Sequence, residues 1–289
     1  MHGRQGRFNT PVPIAADATD VWVAGEGSPF GSTVAELSSS NGRYVRSLKL
    51  EPPQADRGGD LAVCGGHLWS VGVSGYYEYS VASGKLQRVV DLSKRGIWYG
   101  GGGEVSVEGS DLWDTGVKGR TSVAVELSCS TSAVLRVLND GNSAEAVGGI
   151  AVSGDHLWTL SGLGTLAQNV TVREFNTTTG ALVRVIRYRT KYHLAVAPIA
   201  ASGNVLCILS QGGGSVALIN GSTGSLIKMV SSALFYPEIQ FDAAYGGDFW
   251  LLDTEGSTVD VLSARTGRIV HYIGPTGGPR CTNPAGCGG

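Results

Sequence analysis

A tryptophan in a fixed setting recurs along this chain. ATDVWVAG, CGGHLWSV, GSDLWDTG, SGDHLWTL and GGDFWLLD hold Trp22, Trp69, Trp113, Trp158 and Trp250, and SGNVLCIL puts Cys207 in the same place. Successive positions lie 47, 44, 45, 49 and 43 residues apart. The stretch Gly148 to Arg187 shows the unit in full: apolar runs Ile150–Val152, Leu157–Leu160, Val170–Phe175 and Leu182–Ile186, punctuated by Gly154-Asp155, a longer loop and Thr179-Gly180. Runs this short, rich in branched and aromatic residues and bounded by Gly, Asp, Asn and Thr, predict strands joined by hairpins. A single four-stranded unit cannot bury both faces, so it needs neighbours.

The rest of the repeat agrees. A third run follows each marker, and a small-residue turn leads to a fourth: Asn41-Gly42, Ser83-Gly84, Thr179-Gly180, Thr223-Gly224 and Thr266-Gly267, with Ser132-Ala133 departing from the pattern. The first runs pair a large apolar residue with Ala or Ser in five of six copies, as crowded inner strands require; Asp242 is the outlier. Six copies at this period predict an all-β chain forming a six-bladed β-propeller of four-stranded antiparallel blades. A fragment of a seven-bladed ring is the alternative, since no leftover strand is visible to close the seam. The expected organisation is an N-terminal extension over 1–10, one propeller domain over 11–273 and a Gly- and Pro-rich tail over 274–289. The tryptophans read as packing between blades rather than as ligand contacts.

Charge and cysteine content narrow the function classes. A formal charge of −2 with 16% charged residues offers no basic stripe, which argues against nucleic-acid binding through phosphates. No apolar run reaches the length of a membrane span, and no signal peptide is read in MHGRQGRFNT. The five Cys share no spacing, so no disulfide framework is expected. Cys64 and Cys207 read as small apolar strand residues and Cys129 sits near a turn. Cys281 and Cys287, flanking TNPAG, could close a small disulfide loop in an oxidising compartment, the alternative being an unpaired, solvated tail.

The pattern G-D-x-L-W-x-L followed by a Thr-Gly turn and an apolar run, spanning about residues 11–273, resembles bacterial YVTN-type propellers and their NHL-like and streptogramin-lyase-like relatives. The resemblance implies the fold; it does not imply an activity, because this fold hosts binding proteins and enzymes alike. Quinoprotein dehydrogenases place a Trp shortly after the Thr-Gly turn, where this chain has Arg184, Lys228 or His271. Streptogramin lyases carry Thr-Glu after the blade aromatic, where this chain has Val23, Ser70, Asp114, Thr159 or Leu251.

Loop lengths single out one face. Turns between first and second and between third and fourth strands are short throughout. The second-to-third loops and the connections between blades vary, from Gly25–Ser32 to Ser161–Asn169 and from Glu51–Gly59 to Ser93–Gly103, and all of these fall on the same face of the disc. Binding residues concentrate on variable loops held by rigid scaffolds. Arg95, Trp98, Tyr99, Tyr192, His193, Phe235 and Tyr236 form the expected binding surface there, suited to a protein, peptide or glycan. The alternative is a lyase or hydrolase at the mouth of the central channel, with Asp60, Glu104 and Glu238 holding Ca²⁺ or Mg²⁺. Whether any other cofactor is bound is left open by the sequence. The letters of a dinucleotide fingerprint at Gly162–Ala167 enter a strand, not a helix, and carry no such meaning.

Overall fold

The computed structural model describes residues 13–17, 19–25, 33–40, 42–50, 60–72, 75–99, 105–143, 147–162, 169–189, 198–210, 215–231, 239–253 and 258–273. Six blades follow in chain order. Blade 1 is β1 (Ile14–Ala16), β2 (Asp20–Gly25), β3 (Thr33–Ser38) and β4 (Tyr44–Lys49); blade 2 is β5 (Leu61–Cys64), β6 (His67–Gly72), β7 (Gly75–Ser80) and β8 (Leu86–Asp91). A short strand β9 (Ile97–Tyr99) precedes blade 3, which is β10 (Val105–Glu108), β11 (Asp111–Lys118), β12 (Thr121–Ser128) and β13 (Val134–Ser143). Blade 4 is β14 (Val147–Ser153), β15 (His156–Gly162), β16 (Asn169–Asn176) and β17 (Leu182–Arg189). Blade 5 is β18 (Ile199–Ser202), β19 (Val205–Ser210), β20 (Ser215–Asn220) and β21 (Leu226–Ser231). Blade 6 is β22 (Ile239–Tyr245), β23 (Asp248–Asp253), β24 (Thr258–Ser263) and β25 (Ile269–Ile273). Each is an antiparallel meander of consecutive strands, and among the described residues no strand is exchanged between blades.

The ring closes by packing. Every neighbouring pair of blades shares an apolar core, the last with the first included: Ile14, Val21, Val23 and Leu37 pack on Trp250, Leu252, Val259 and Val261. A ring of six is therefore complete, and the fragment alternative falls away. The innermost strands surround a narrow channel of about 70 Å³ lined by small and apolar residues such as Ala15, Ala62, Val107, Val152, Ala200 and Ala244. Small side chains are needed where six strands converge.

The five repeat tryptophans are buried, the most exposed of them only 5% accessible. Burying an indole removes roughly 150–250 Å² from water, so these side chains dominate the contacts between blades. In four blades the tryptophan is the cross-strand partner of a glutamate, and the glutamate is the partner of an arginine: Trp22, Glu36 and Arg46; Trp69, Glu78 and Arg88; Trp113, Glu126 and Arg136; Trp158, Glu174 and Arg184. Each arginine pairs with its own glutamate. Three of them also reach the next blade's outer turn. Arg46 donates to the Val81 and Ala82 carbonyls, Arg88 to the Ser132 hydroxyl and Arg136 to the Thr177 carbonyl. Blade 5 substitutes Leu218 and Lys228, and the Lys228 ammonium still donates to Gly267 O at 2.7 Å in blade 6.

The small-residue turns serve the same seam. At Gly224 a Cβ would lie 2.6 Å from Ile186 of the preceding blade, and φ is +71°. Glycine thus meets both a left-handed backbone and a close approach. Ser132 holds this position in blade 3 with φ 58°, the only positive-φ non-glycine among the described residues. Its hydroxyl accepts from Arg88 at 2.8 Å and donates to Glu78 at 2.9 Å. The sequence departure at Ser132-Ala133 is therefore a lock between blades 2 and 3.

Candidate functional site

Blade 3 departs from its siblings on the variable-loop face. Its strands β11, β12 and β13 run 8, 8 and 10 residues, and β9 adds to them, with Tyr99 opposite Gly116, Trp98 opposite Val117 and Ile97 opposite Lys118. Gly116 makes this addition feasible, because a Cβ there would stand 2.9 Å from the Ile97 side chain and 3.2 Å from the Trp98 carbonyl. Ile97 is buried in the core shared with blade 2 and anchors the strand. Alternation along a strand then sends Trp98 the other way. Trp98 is 56% exposed, unlike the five repeat tryptophans.

Beneath this addition two carboxylates tie blades 2 and 3 together. Asp60 accepts from the backbone N–H of Leu61 at 2.9 Å and of Val105, in blade 3, at 2.6 Å. Asp114 accepts from the Tyr76 hydroxyl of blade 2 at 2.6 Å and from the Thr115 N–H at 2.6 Å. Burial raises the Asp60 carboxyl to about 7 despite its backbone bonds. Burial likewise raises Asp114 to about 8, with the nearby Asp60 charge adding to the rise. A cavity of about 10 Å³ touches Tyr76, Trp98, Asp114 and Thr115, room for about one water.

The opposite end of the same seam is covalent. Cys64, at the end of β5, and Cys129, just beyond β12, form a disulfide with a Cα–Cα distance of 5.7 Å. This corrects two sequence expectations: Cys64 is not merely a small strand residue, and the chain does contain a disulfide within the propeller. Adjacent blades bring together cysteines 65 residues apart, a pairing that spacing along the chain conceals. Cys207 is buried and joins no disulfide, as a small apolar strand residue should be. Cys281 and Cys287 lie outside the described residues.

Of the expected binding surface, Arg95 and Trp98 are exposed on the blade 2–3 connection, and Tyr99 follows in β9. Tyr192, His193, Phe235 and Tyr236 lie outside the described residues. So do Glu104 and Glu238 of the metal alternative, whose third member, Asp60, spends both oxygens on backbone N–H groups. Among the described residues, no group of three or more His, Cys, Asp or Glu is arranged to hold a metal ion. The short-turn face carries a bowl of about 450 Å³ over the channel, whose polar groups include Asp17, Glu108, Ser153 and Ser202. Asp17 caps its own turn through Thr19 and Asp20, and Ser153 accepts from Gly203 N–H.

The fold and seam define a six-bladed β-propeller, and solved structures agree. A chain in the crystal structure of a nidogen/laminin complex superposes with a TM-score of 0.65 at 12% identity, covering 91% of this chain and 96% of that one. A chain of Kuenenia stuttgartiensis hydrazine synthase superposes with a TM-score of 0.60 at 12% identity, covering 88% and 83%. At this identity the likeness is one of fold. Neither the protein-family models nor the curated protein sequences give a match.

Proposed function

We propose that this chain is a non-catalytic recognition propeller, of the YVTN- and NHL-like kind, that holds a protein or peptide on its variable-loop face. The observation that carries the reading is Trp98: one indole exposed on a strand whose neighbour Ile97 is buried, in a chain that buries its repeat tryptophans. A rigidly mounted, exposed tryptophan beside arginine has the composition of an interface hot spot. Blade 3 invests a longer hairpin and an added strand in presenting it, and the seam below is fixed by the Asp60 and Asp114 bonds and the disulfide. The nidogen/laminin structure, in which a propeller of this shape occurs in a protein complex, fits the reading. A glycan is the other ligand class that an exposed aromatic platform serves.

Random peptide display against the oxidised full-length chain, with hydrogen exchange mapping of the selected peptides, tests this. The expected footprint covers 97–99 and 116–120. Peptides that protect only the short-turn bowl, or a failure to select any, would overturn the reading.

A further inference from the structure

We propose that the blade 3 projection docks an acidic segment of a protein partner, with Trp98 taking an apolar side chain and Lys94, Arg95, Lys118 and Arg120 taking the carboxylates. The proposal rests on the recognition reading above and names its ligand chemistry.

All five side chains are exposed. Lys94 and Arg95 occupy the 3-10 turn Ser93–Arg95 that leads into β9. Lys118 is the cross-strand partner of Ile97, the residue beside Trp98, and Arg120 lies in the turn between β11 and β12. The register therefore places the four cations and the indole at a single corner of the disc, with Lys118 on the Ile97 face of the strand pair and Trp98 on the other. Among the described residues, Asp91 is the one carboxylate shown to answer them, at 3.8 Å from Lys94 and with its other oxygen engaged by Ser93. The corner is thus strongly cationic in a chain whose formal charge is −2. Exposed cations attract anionic partners and set the encounter rate.

A protein segment fits better than a nucleic acid. Four cations at one corner cannot track a phosphate backbone, which needs a stripe of many contacts. The buried foundation suits a small anchored epitope: Ile97 in the core, Gly116 admitting β9, and Asp114 bonded to Tyr76. Such a site holds its tryptophan in place before the partner arrives, which lowers the cost of ordering on binding.

The experiment uses the oxidised full-length chain and three labelled peptide probes of one length: Glu- and Asp-rich with a central Leu-Phe pair, the same with Lys in place of the acids, and the same with Ser. Fluorescence anisotropy should show binding of the acidic probe alone, weakening as salt rises. Trp98→Ala and the double substitution Lys118→Glu with Arg120→Glu should each weaken it at least about tenfold, with an unchanged unfolding midpoint. Equal binding of the Ser probe, or acidic binding untouched by both variants, would contradict the proposal. Heparin or duplex DNA binding as tightly as the acidic probe would also contradict it, by showing a general polyanion site. Display-selected peptides that map to 97–99 but are not acidic would sink this proposal and leave the recognition reading standing. A failure to map any peptide there would remove both.

Discussion

Arg88 in the outer strand of blade 2 donates to the hydroxyl of Ser132 in blade 3 at 2.8 Å. That hydroxyl passes the bond back to Glu78 at 2.9 Å, so one serine in a left-handed turn closes a circuit across two blades. The left-handed conformation costs a non-glycine residue about 1–2 kcal/mol, and an unsatisfied buried partner costs about 1–3 kcal/mol. Ser132→Ala keeps the strain and loses the bonds; Ser132→Gly loses both. The alanine variant should therefore be the less stable of the two, by about 1 kcal/mol, in urea unfolding. Equal midpoints would mean that the hydroxyl bonds and not the backbone set the cost.

Glu174 is buried and carries two partners, Arg184 at 2.6 Å and His156 at 2.6 Å. Glu174→Ala removes the buried carboxylate and leaves Arg184 and His156, both more than a third exposed, to be solvated. The lost charge-assisted bonds and packing should cost about 1–3 kcal/mol. Blade 5 shows a working alternative, with Leu218 facing Lys228. The combination Glu174→Leu with Arg184→Lys should accordingly be more stable than Glu174→Ala. Thermal unfolding of the two variants decides the order.

The Cys64–Cys129 disulfide closes a 65-residue separation. Loop entropy for a closure of this length corresponds to about 4 kcal/mol of stabilisation. Urea unfolding with and without dithiothreitol should show a lower midpoint on reduction, and Cys129→Ala should reproduce the reduced value under both conditions. A disulfide of this kind persists in an oxidising compartment. A midpoint that does not move on verified reduction would show that the seam is held by packing alone.

Asp60 and Asp114 give the fold a pH dependence of unusual sign. Their carboxyls are raised from 3.8 to about 7 and about 8 by burial. Above about pH 4 the unfolded chain has released protons that the native state still holds. Stability from these two groups therefore falls as pH rises from about 4 to about 8 and levels off beyond. Asp114→Asn keeps an acceptor for the Thr115 N–H and a polar group for Tyr76, and it should reduce the slope by about half between about pH 4 and about 7 and remove it between about 7 and about 8. A variant with the parent's slope would place the titration elsewhere.

Six blades, their turns and the packing role of the tryptophans were legible because each follows from a local pattern repeated at near-constant spacing. The tryptophan ruler does not reveal the glutamate–arginine ladder, although a signal for it stands in the chain. Variable second-to-third loops blur the distance from Trp to Glu, whereas each Glu stands ten residues before its Arg in blades 1–4. The disulfide was hidden because its cysteines occupy unlike positions in adjacent blades and meet only once the ring is built. β9 was hidden for a related reason. Ile97-Trp98-Tyr99 reads as part of a loop until Gly116, about twenty residues later, supplies the edge it adds to. Asp60 precedes an inner strand and so reads as a channel-mouth carboxylate, whereas its partner Val105 belongs to the next blade.

Trp98 alone among the six tryptophans is exposed, the others being at most 5% accessible. Acrylamide quenching of the whole protein therefore reports on this one indole. Titration with the acidic Leu-Phe probe should abolish the quenchable component as binding saturates. A probe that binds and leaves that component fully quenchable would contradict the assignment of recognition to the blade 3 projection.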